Sequence, residues 1–178
     1  ARTEVGTTNM GLAASQFHNT NSNFATVTFN VTDGFQTILP LDVVVTVTGH
    51  QSTLTFDNQQ HTVTGFDTTY SSPYYTANDF TFNGTATASR TNVVEGTDVD
   101  GQTDMGLTAN MFTNLNPNCN VTFNVTDGYQ KIMPVDDVVV SIAGQQSSVF
   151  YDGEEHSVSG YSVAINHPLY HQSDYTFN

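Results

Sequence analysis

The chain has 178 residues, with 3 Lys and Arg against 17 Asp and Glu, and its formal charge at pH 7 is −14. So few cations cannot neutralise phosphates, which argues against nucleic acid and anionic lipid headgroups as partners. No apolar run approaches the ~20 residues that a membrane-spanning helix needs, so we expect no membrane insertion. The single cysteine, Cys119, allows no intrachain disulfide, and we expect it to fill a core as a small apolar side chain.

The predicted elements are almost all β-strands, because β-branched and aromatic residues recur with a period of two. One short helix of a turn or two is predicted at 12–17, with an equivalent at 107–112. Turn residues separate the strands: Asp33-Gly34, Asp127-Gly128 and Asp152-Gly153 predict hairpins, with Asp57-Asn58 at the matching place in the first half. In chain order, the predicted strands are 25–31, 43–48, 62–66, 80–82, 85–88, 138–142 and 157–161.

The two halves of the chain repeat each other. The octapeptide Val-Thr-Phe-Asn-Val-Thr-Asp-Gly occurs at 27–34 and again, letter for letter, at 121–128. From 42–83 to 137–178 the offset is a constant 95, and 17 of the 42 paired residues are identical. Because this period exceeds those of solenoid repeats, each unit should be a small domain and the whole a tandem array. An array multiplies length and surface, which favours a mechanical or display role over catalysis.

The phase of the repeat decides the domain boundaries. We predict one complete unit at 41–134, preceded by the C-terminal half of a unit at 1–40 and followed by the N-terminal half of the next at 135–178, with Pro40 and Pro134 at the junctions. The alternative is two complete units, the first at 2–83, joined by a linker of ~17 residues, which is long for a compact array. In the preferred phasing the half-units expose sheet edges and could complete each other between chains, head to tail.

Several motifs carry a resemblance to a known class of protein. They are Asp-Phe-x-Phe at 79–82, Gly-Thr-Ala-x-Ala-x-Arg-Thr at 84–91, Met-Gly-Leu at 105–107, the octapeptide at 121–128, Ile-x-Pro at 132–134, Tyr-Asp-Gly-x-x-His-x-Val-x-Gly-Tyr at 151–161 and Pro-x-Tyr at 168–170. The chain resembles the tandem arrays in cell-surface proteins of Gram-positive bacteria, of the mostly-β-grasp or bacterial immunoglobulin-like type. The resemblance implies an all-β fold and an extracellular stalk or adhesin segment of the cell wall. Its motifs are turn and core residues, and they specify no chemistry.

One acidic loop is a candidate metal site. The second copy has seven extra residues, within 92–101, and Asp98, Asp100 and Asp104 surround Gly101 there. Alternating carboxylates around a glycine bend suit Ca²⁺, which takes six to eight oxygen ligands. The positions that an EF-hand would fill with Gly and Glu hold Thr103 and Ala109, and a solvated acidic loop is the alternative. No other cofactor is predicted.

The remaining candidate chemistry favours architecture. His61 and His156 each follow an aspartate, Asp57 and Asp152, by four residues; such a pair can serve a metal or a catalytic dyad, but its recurrence in both copies indicates a turn. His167 and His171 have Ser72 and Thr76 as counterparts, so a zinc site there would belong to one copy. No nucleophile motif or phosphate-binding glycine loop is present. Lys131 is the only lysine, and the matching position in the other copy holds Thr37, so an isopeptide bond repeated in both copies is excluded.

The sequence therefore predicts a structural protein and not an enzyme: a stalk, spacer or fibre whose partners are neighbouring repeats or copies of itself. We expect Gly49 and Gly65 to set turns. The alternative is an adhesin module that binds host glycan or matrix protein through exposed aromatics. The side chains predicted to fill cores are Phe29, Phe82, Phe123 and Phe177, and the aromatics predicted to be exposed are Tyr70, Tyr74 and Tyr75.

Overall fold

The computed structural model describes all 178 residues and confirms a β-rich protein. Its helical content is four 3-10 turns of three residues each, η1 Ala14–Gln16, η2 Ala77–Asp79, η3 Ala109–Met111 and η4 Gln172–Asp174. The first and third lie inside the two helices predicted from sequence and are shorter. None of the helices has the length and apolar character to cross a bilayer.

The fourteen strands are short, and only two of them exceed five residues. In chain order they are β1 Gly6–Asn9, β2 Phe35–Ile38, β3 Leu41–Gly49, β4 Gln51–Thr55, β5 His61–Thr64, β6 Phe66–Tyr70, β7 Phe80–Phe82, β8 Thr87–Arg90, β9 Gln102–Asp104, β10 Phe112–Asn114, β11 Cys119–Thr126, β12 Tyr129–Met133, β13 Val140–Gly144 and β14 Tyr161–Ile165.

The chain forms two compact units and passes between them several times. The first unit contains Ala1–His50, Gly65–Ala86 and Met105–Gly128. The second contains Gln51–Thr64, Thr87–Asp104 and Tyr129–Asn178. Each unit therefore assembles from segments that are distant in sequence, which requires long-range strand pairing.

In the first unit, β3 is the centre of a three-stranded sheet, parallel to β11 and antiparallel to β6. Its odd positions Val43, Val45 and Val47 are buried and the residues between them are exposed, as a period of two requires. These valines form the core with Tyr75, Phe112 and Cys119, and Phe66, Phe80, Phe82 and Phe123 pack against it. Cys119 is thus the buried apolar filler that the sequence predicted. Two antiparallel pairs complete the unit, β1–β2 and β7–β10.

In the second unit, β12 is central, parallel to β4 and antiparallel to β9. The pairs β5–β8 and β13–β14 are antiparallel. Ile132, Ala88, Gln130 and Arg90 are its buried side chains. Two polar side chains in that set mean that this interior depends on hydrogen bonds as well as on apolar burial.

Some sequence predictions about elements are wrong. Residues 25–31 form no strand, although their copy lies in β11, and 157–160 form none before β14 begins. The turns at Asp127-Gly128 and Asp57-Asn58 do not join paired strands. Asp33-Gly34 and Asp152-Gly153 lie within the long connections 10–34 and 145–160 of the antiparallel pairs β1–β2 and β13–β14 instead of forming tight hairpin turns. Asp127 and Gly128, for example, separate β11 from β12, which pair with β3 and β4 instead of with each other. The turn residues were recognised, but local chemistry does not say which strand is the partner.

The backbone conformation at two of these turns, and at Gly65, agrees with expectation. Asn58 and its counterpart Gly153 both have a positive φ, 64° and 84°, which Asn tolerates better than most residues. Gly65 has φ 88° at the turn between β5 and β6. At Gly49 the constraint is space, because an added Cβ would collide with the backbone of Gly128.

The core predictions are correct for two phenylalanines and wrong for one. Phe82 and Phe123 pack against the first unit's core. Phe29 is half-buried and stacks on Phe17 with the ring centres 5.8 Å apart. Phe177, however, is 77% exposed. It lies near the end of the segment 135–178, in which β13 and β14 are the only strands, so no strand covers it as β10 pairs with β7 at Phe82.

Candidate functional site

The repeated octapeptide occupies two different environments. Its second copy lies mostly in β11, where Val121 is opposite Val43 and Phe123 is opposite Val45 in the parallel pair. Its first copy, at 27–34, belongs to no strand, and Val27 is 42% exposed. Because the eight residues are identical, the difference is the presence of a partner strand and not local propensity.

The edge that corresponds to this edge of β3 lies on β13, in residues 135–178. Strand β13 is displaced by 95 residues from Val45–Gly49 of β3. β3 has strands on both sides, whereas β13 pairs only with β14. Ile142, the counterpart of the fully buried Val47, is 56% exposed. The edge that β11 occupies on β3 therefore has no strand on β13.

A hydrogen-bonded corner attaches the start of β11 in the first unit. The Asn116 side-chain amide donates to the Asp79 carboxylate at 2.9 Å, and the Leu115 amide donates to the Asp79 carbonyl at 2.7 Å. The Tyr75 hydroxyl is 2.9 Å from that carbonyl and 3.0 Å from the Asn114 side-chain oxygen. We call this set the Asp79 corner. Apart from the Tyr75 hydroxyl, its donors come from an Asn-x-Asn-x-Asn run at 114–118. The same run occurs at 19–23, a signal that the sequence predictions missed.

Burial, charge and hydrogen bonds shift the pKa values of two groups of the corner. Burial, followed by the nearby Asp79 carboxylate, raises the pKa of Tyr75 to about 12. Hydrogen bonds from the backbone amide and hydroxyl of Thr76, and from Asn116, lower the pKa of Asp79. Tyr75 is therefore a neutral donor and Asp79 an ionised acceptor at neutral pH. This corrects the prediction of an exposed aromatic at Tyr75, which is 1% exposed; Tyr70 is half-buried and Tyr74 is 80% exposed.

The acidic loop is organised by a buried arginine. The Arg90 guanidinium donates to the Asp98 carboxylate at 2.8 Å and to the carbonyls of Asn92, Val93 and Gln102. The side-chain oxygens of Asp98 are thus bonded to Arg90 and to the Asp100 amide.

The other predicted calcium ligands lie near each other without forming a ligand set. Asp98, Asp100, Gln102, Asp104 and Lys131 line one cavity of about 450 Å³. Asp104 accepts from the Gln102 side chain at 2.8 Å, and no group of three or more His, Cys, Asp or Glu side chains is placed to hold a metal ion. Calcium binding stays a prediction from sequence, and the Lys131 ammonium in the same cavity would compete with a cation.

The two aspartate–histidine pairs are alike. In each, the imidazole Nε2 is 2.9 Å from the aspartate Oδ1: His61 on Asp57, and His156 on Asp152. Each aspartate also accepts from the backbone amide two residues later, Gln59 or Glu154. The hydrogen bond from His61 is the main cause that lowers the pKa of Asp57, and the Glu154 amide is the main cause for Asp152. The shared turn geometry supports the architectural interpretation.

His167 and His171 lie between β14 and η4. The His167 Nδ1 accepts from the Leu169 amide at 3.3 Å, and the His171 amide donates to Asp174 at 2.8 Å. Val138, His167, Leu169 and Tyr170 help to line an apolar groove of about 330 Å³.

The chain was compared with known proteins at the levels of family, sequence and structure. No family model matches it, and neither a curated protein nor a solved structure shows significant similarity to it.

Proposed function

We propose that this chain is a non-catalytic structural repeat, a segment of a stalk, spacer or fibre in an extracellular bacterial surface protein, whose half-units complete one another head to tail. The observation that carries the proposal is the octapeptide, which is paired with β3 in one copy and without a strand partner in the other. A sequence that forms a strand wherever its partner is present, and repeats along the chain, is suited to joining units in series.

The strand pairing supports the boundaries at 40 and 134. Every strand pair lies within 1–40, within 41–134 or within 135–178. We therefore take 41–134 as one complete repeat of the β-grasp-like or immunoglobulin-like type, whose strands contribute to both compact units. The C-terminal half of one repeat precedes it and the N-terminal half of another follows it. Recurrent hydrogen bonds support the 95-residue period: Asp33 accepts from Gly11 and Leu12 as Asp127 accepts from Gly106 and Leu107.

The location at a bacterial surface is supported by the resemblance to Gram-positive tandem arrays. The composition is consistent with it, since a chain with a charge of −14 resists non-specific association with polyanions.

Light scattering on the purified 178-residue chain, with negative-stain microscopy of the same fractions, tests the proposal. Joining in series predicts masses in multiples of 19.3 kDa that grow with protein concentration, and rods in the images. A particle that stays at the mass of one chain over the accessible concentration range would overturn head-to-tail joining.

One observation favours the alternative, an adhesin module that binds host glycan. Tyr74 is 80% exposed and lies in a groove of about 530 Å³ with Glu4, Asn116 and Asn118. An exposed aromatic ring beside amide and carboxylate groups can stack on a sugar and bond its hydroxyls. A glycan array with the wild-type chain and Tyr74→Ala distinguishes the two: signals that disappear in the variant support the adhesin, and no signal above background removes it.

A further inference from the structure

We propose that residues 19–32 of one copy dock on a second copy, along the open edge of β13 and against the turn at Tyr170–Asp174. The docked pair would reproduce between chains what β11, β3 and the Asp79 corner form within the first unit. The proposal rests on the head-to-tail function above and specifies its partner, a second copy of this chain, and its register.

We call the arrangement of β11, β3 and the Asp79 corner within the first unit the template. The donor segment, residues 19–32, already has the internal geometry of the matching segment of the template. The Asn19 amide donates to the carbonyls of Asn21 and Phe24 at 3.2 and 2.9 Å. At the template, Asn114 donates to Asn116 and Cys119, both at 3.0 Å. Two further hydrogen bonds recur. The backbone amide of Asn21 donates to the Asn19 side-chain oxygen, and the backbone amide of Asn23 donates to the Asn21 side-chain oxygen, each at 3.0 Å. The loop is thus held in the docked form without a partner.

Two aromatic rings next to the donor loop also have the arrangement of their counterparts in the template. Phe17 stacks on Phe29 with ring centres 5.8 Å apart and an interplanar angle of 29°. The template rings Phe112 and Phe123 are 5.4 Å apart at 24°. In the template these two rings are covered by Phe80, whereas Phe17 is 42% exposed.

The acceptor has the complementary half of the geometry. The Tyr170 hydroxyl donates to the Asp174 carbonyl at 3.2 Å, and the His171 amide donates to the Asp174 carboxylate at 2.8 Å, as Tyr75 and Thr76 do with Asp79. Tyr161 contacts Phe177 with ring centres 5.3 Å apart, as Phe66 contacts Phe82 at 5.0 Å. The acceptor therefore holds one half of an aromatic core and the donor holds the other.

The acceptor also contains the counterpart of a core ring of the template. This ring belongs to Tyr175, whose hydroxyl is buried and has no hydrogen-bond partner. Tyr175 is the counterpart of Phe80, the ring that in the template packs against both Phe112 and Phe123. The side chains that would surround it in a docked pair are Phe17 and Phe29 of the donor.

The template fixes the register of the proposed parallel pair. Val27 would lie opposite Val138, Phe29 opposite Val140 and Val31 opposite Ile142, following Val121 on Val43, Phe123 on Val45 and Val125 on Val47. At the corner, the Asn21 amide would donate to the Asp174 carboxylate, and Asn19 would accept from the Tyr170 hydroxyl. The donor has one residue more than the template between Phe24 and Val27, which a local bulge accommodates.

Two variants, each of which blocks association on one side of the chain, test this arrangement. Val27→Asp disables the donor, and Ile142→Asp disables the acceptor, because each would place a carboxylate in an apolar contact of the docked pair. Both side chains are partly or mostly exposed in the single chain, at 42% and 56%, so folding should survive, which circular dichroism verifies. Matched controls add the same charge one residue away on the outward face: Thr28→Asp and Ser141→Asp, whose template counterparts Thr122 and Thr46 are exposed.

We expect each disabling variant alone to be monomeric in light scattering, with association at least about tenfold weaker than wild type, while both controls still assemble. An equimolar mixture of the two disabled variants should stop at twice the chain mass, because each supplies the half that the other retains.

The remaining outcomes separate the two proposals. If wild type is monomeric, head-to-tail joining itself fails. If wild type assembles and Val27→Asp and Ile142→Asp assemble equally well, the joining stands and this interface is wrong. A mixture of the disabled variants that stays monomeric, or controls that are also monomeric, would likewise overturn the interface.

Discussion

Arg2 and Arg90 bind the backbone in the same way. In each, Nε donates to the carbonyl two residues later, Nη2 to the carbonyl three residues later, and Nη1 to a threonine hydroxyl, Thr8 or Thr103. Arg90 is 2% exposed and Arg2 only half-buried. The seven extra residues of the second copy lie between equivalent contacts, so the insertion lengthens the loop and leaves the anchor unchanged.

Removal of the Arg90 anchor should destabilise the protein strongly. Arg90→Ala leaves several carbonyls and the Asp98 carboxylate without their donor, at a cost of roughly 3 kcal/mol, or roughly 6–12 °C in Tm. Lysine cannot reproduce the forked donors, so Arg90→Lys should recover little. Thermal unfolding monitored by circular dichroism measures both, with Arg2→Ala as the control that should lose about 1 kcal/mol. Equal losses of stability in Arg90→Ala and Arg2→Ala would contradict the expectation that the buried arginine contributes more than the half-buried one.

Gly49 and Gly144 are counterparts, and alanine should affect them differently. A Cβ at Gly49 would meet the Gly128 backbone, whereas nothing lies within 4 Å of a Cβ at Gly144. Gly49→Ala should therefore lose about 1–3 kcal/mol by overpacking, and Gly144→Ala should change stability by less than about 0.5 kcal/mol.

The same pair of substitutions reports on assembly. In the docked pair Gly144 would meet Gly34 of the second copy, as Gly49 meets Gly128, so Gly144→Ala should fold normally and associate more weakly than wild type. Sedimentation velocity measures the association. Unimpaired assembly of Gly144→Ala would count against the register.

Acid should release the insertion loop before the rest of the protein unfolds. Amides of Asn92 and Thr91 lower the pKa of Glu95, and the Asp100 amide with Arg90 lowers that of Asp98. A carboxyl whose pKa is lower in the folded state contributes stability above its unfolded value, and that contribution disappears as pH falls through the folded value. The protection factors of amides in 92–101, measured by hydrogen exchange relative to the unstructured chain at the same pH, should therefore fall below about pH 4. In Glu95→Gln this pH dependence should weaken; an unchanged profile would assign the transition to other carboxyls.

Salt should strengthen association between copies. Each chain has a formal charge of −14, so copies repel one another, and the proposed interface is mainly apolar and hydrogen-bonded. Raising ionic strength from about 0.01 M to 0.15 M shortens the screening length from roughly 30 Å to 8 Å, which should shift assembly to lower protein concentrations. Light scattering over a NaCl series measures this. Dissociation by salt would indicate that ion pairs hold the copies together.

The sequence predicted local features better than partners. The alternation along β3 and the positive φ at Asn58 follow from side-chain type and turn chemistry, so they were predictable from a few adjacent residues. Whether residues 25–31 form a strand depends on a segment elsewhere in the chain, and the identical octapeptide shows that local sequence cannot decide it. The exposure of Phe177 was missed for the same reason.

The candidate site was only partly predictable. The sequence identified the acidic loop and the aspartate–histidine pairs because their spacing is local. It did not identify the Asp79 corner, whose members Tyr75, Asp79 and Asn116 are separated by up to 41 residues. The recurrence of Asn-x-Asn-x-Asn was the available indication, but the acceptor that makes it informative is visible only in three dimensions.

The parallel pair of β3 and β11 has a consequence for folding. Leu41 and Cys119 are opposite each other but 78 residues apart in the chain. The entropy cost of closing this loop comes before the strand pair can stabilise the chain, which slows folding. Residues 27–34 are identical to 121–128, but only residues 35–40 separate them from β3, too few for the crossover that a parallel pair within one chain requires. At high concentration, however, a neighbour's copy of 27–34 can enter the edge of β3. Refolding should therefore slow, and yield more exchanged species, as protein concentration rises.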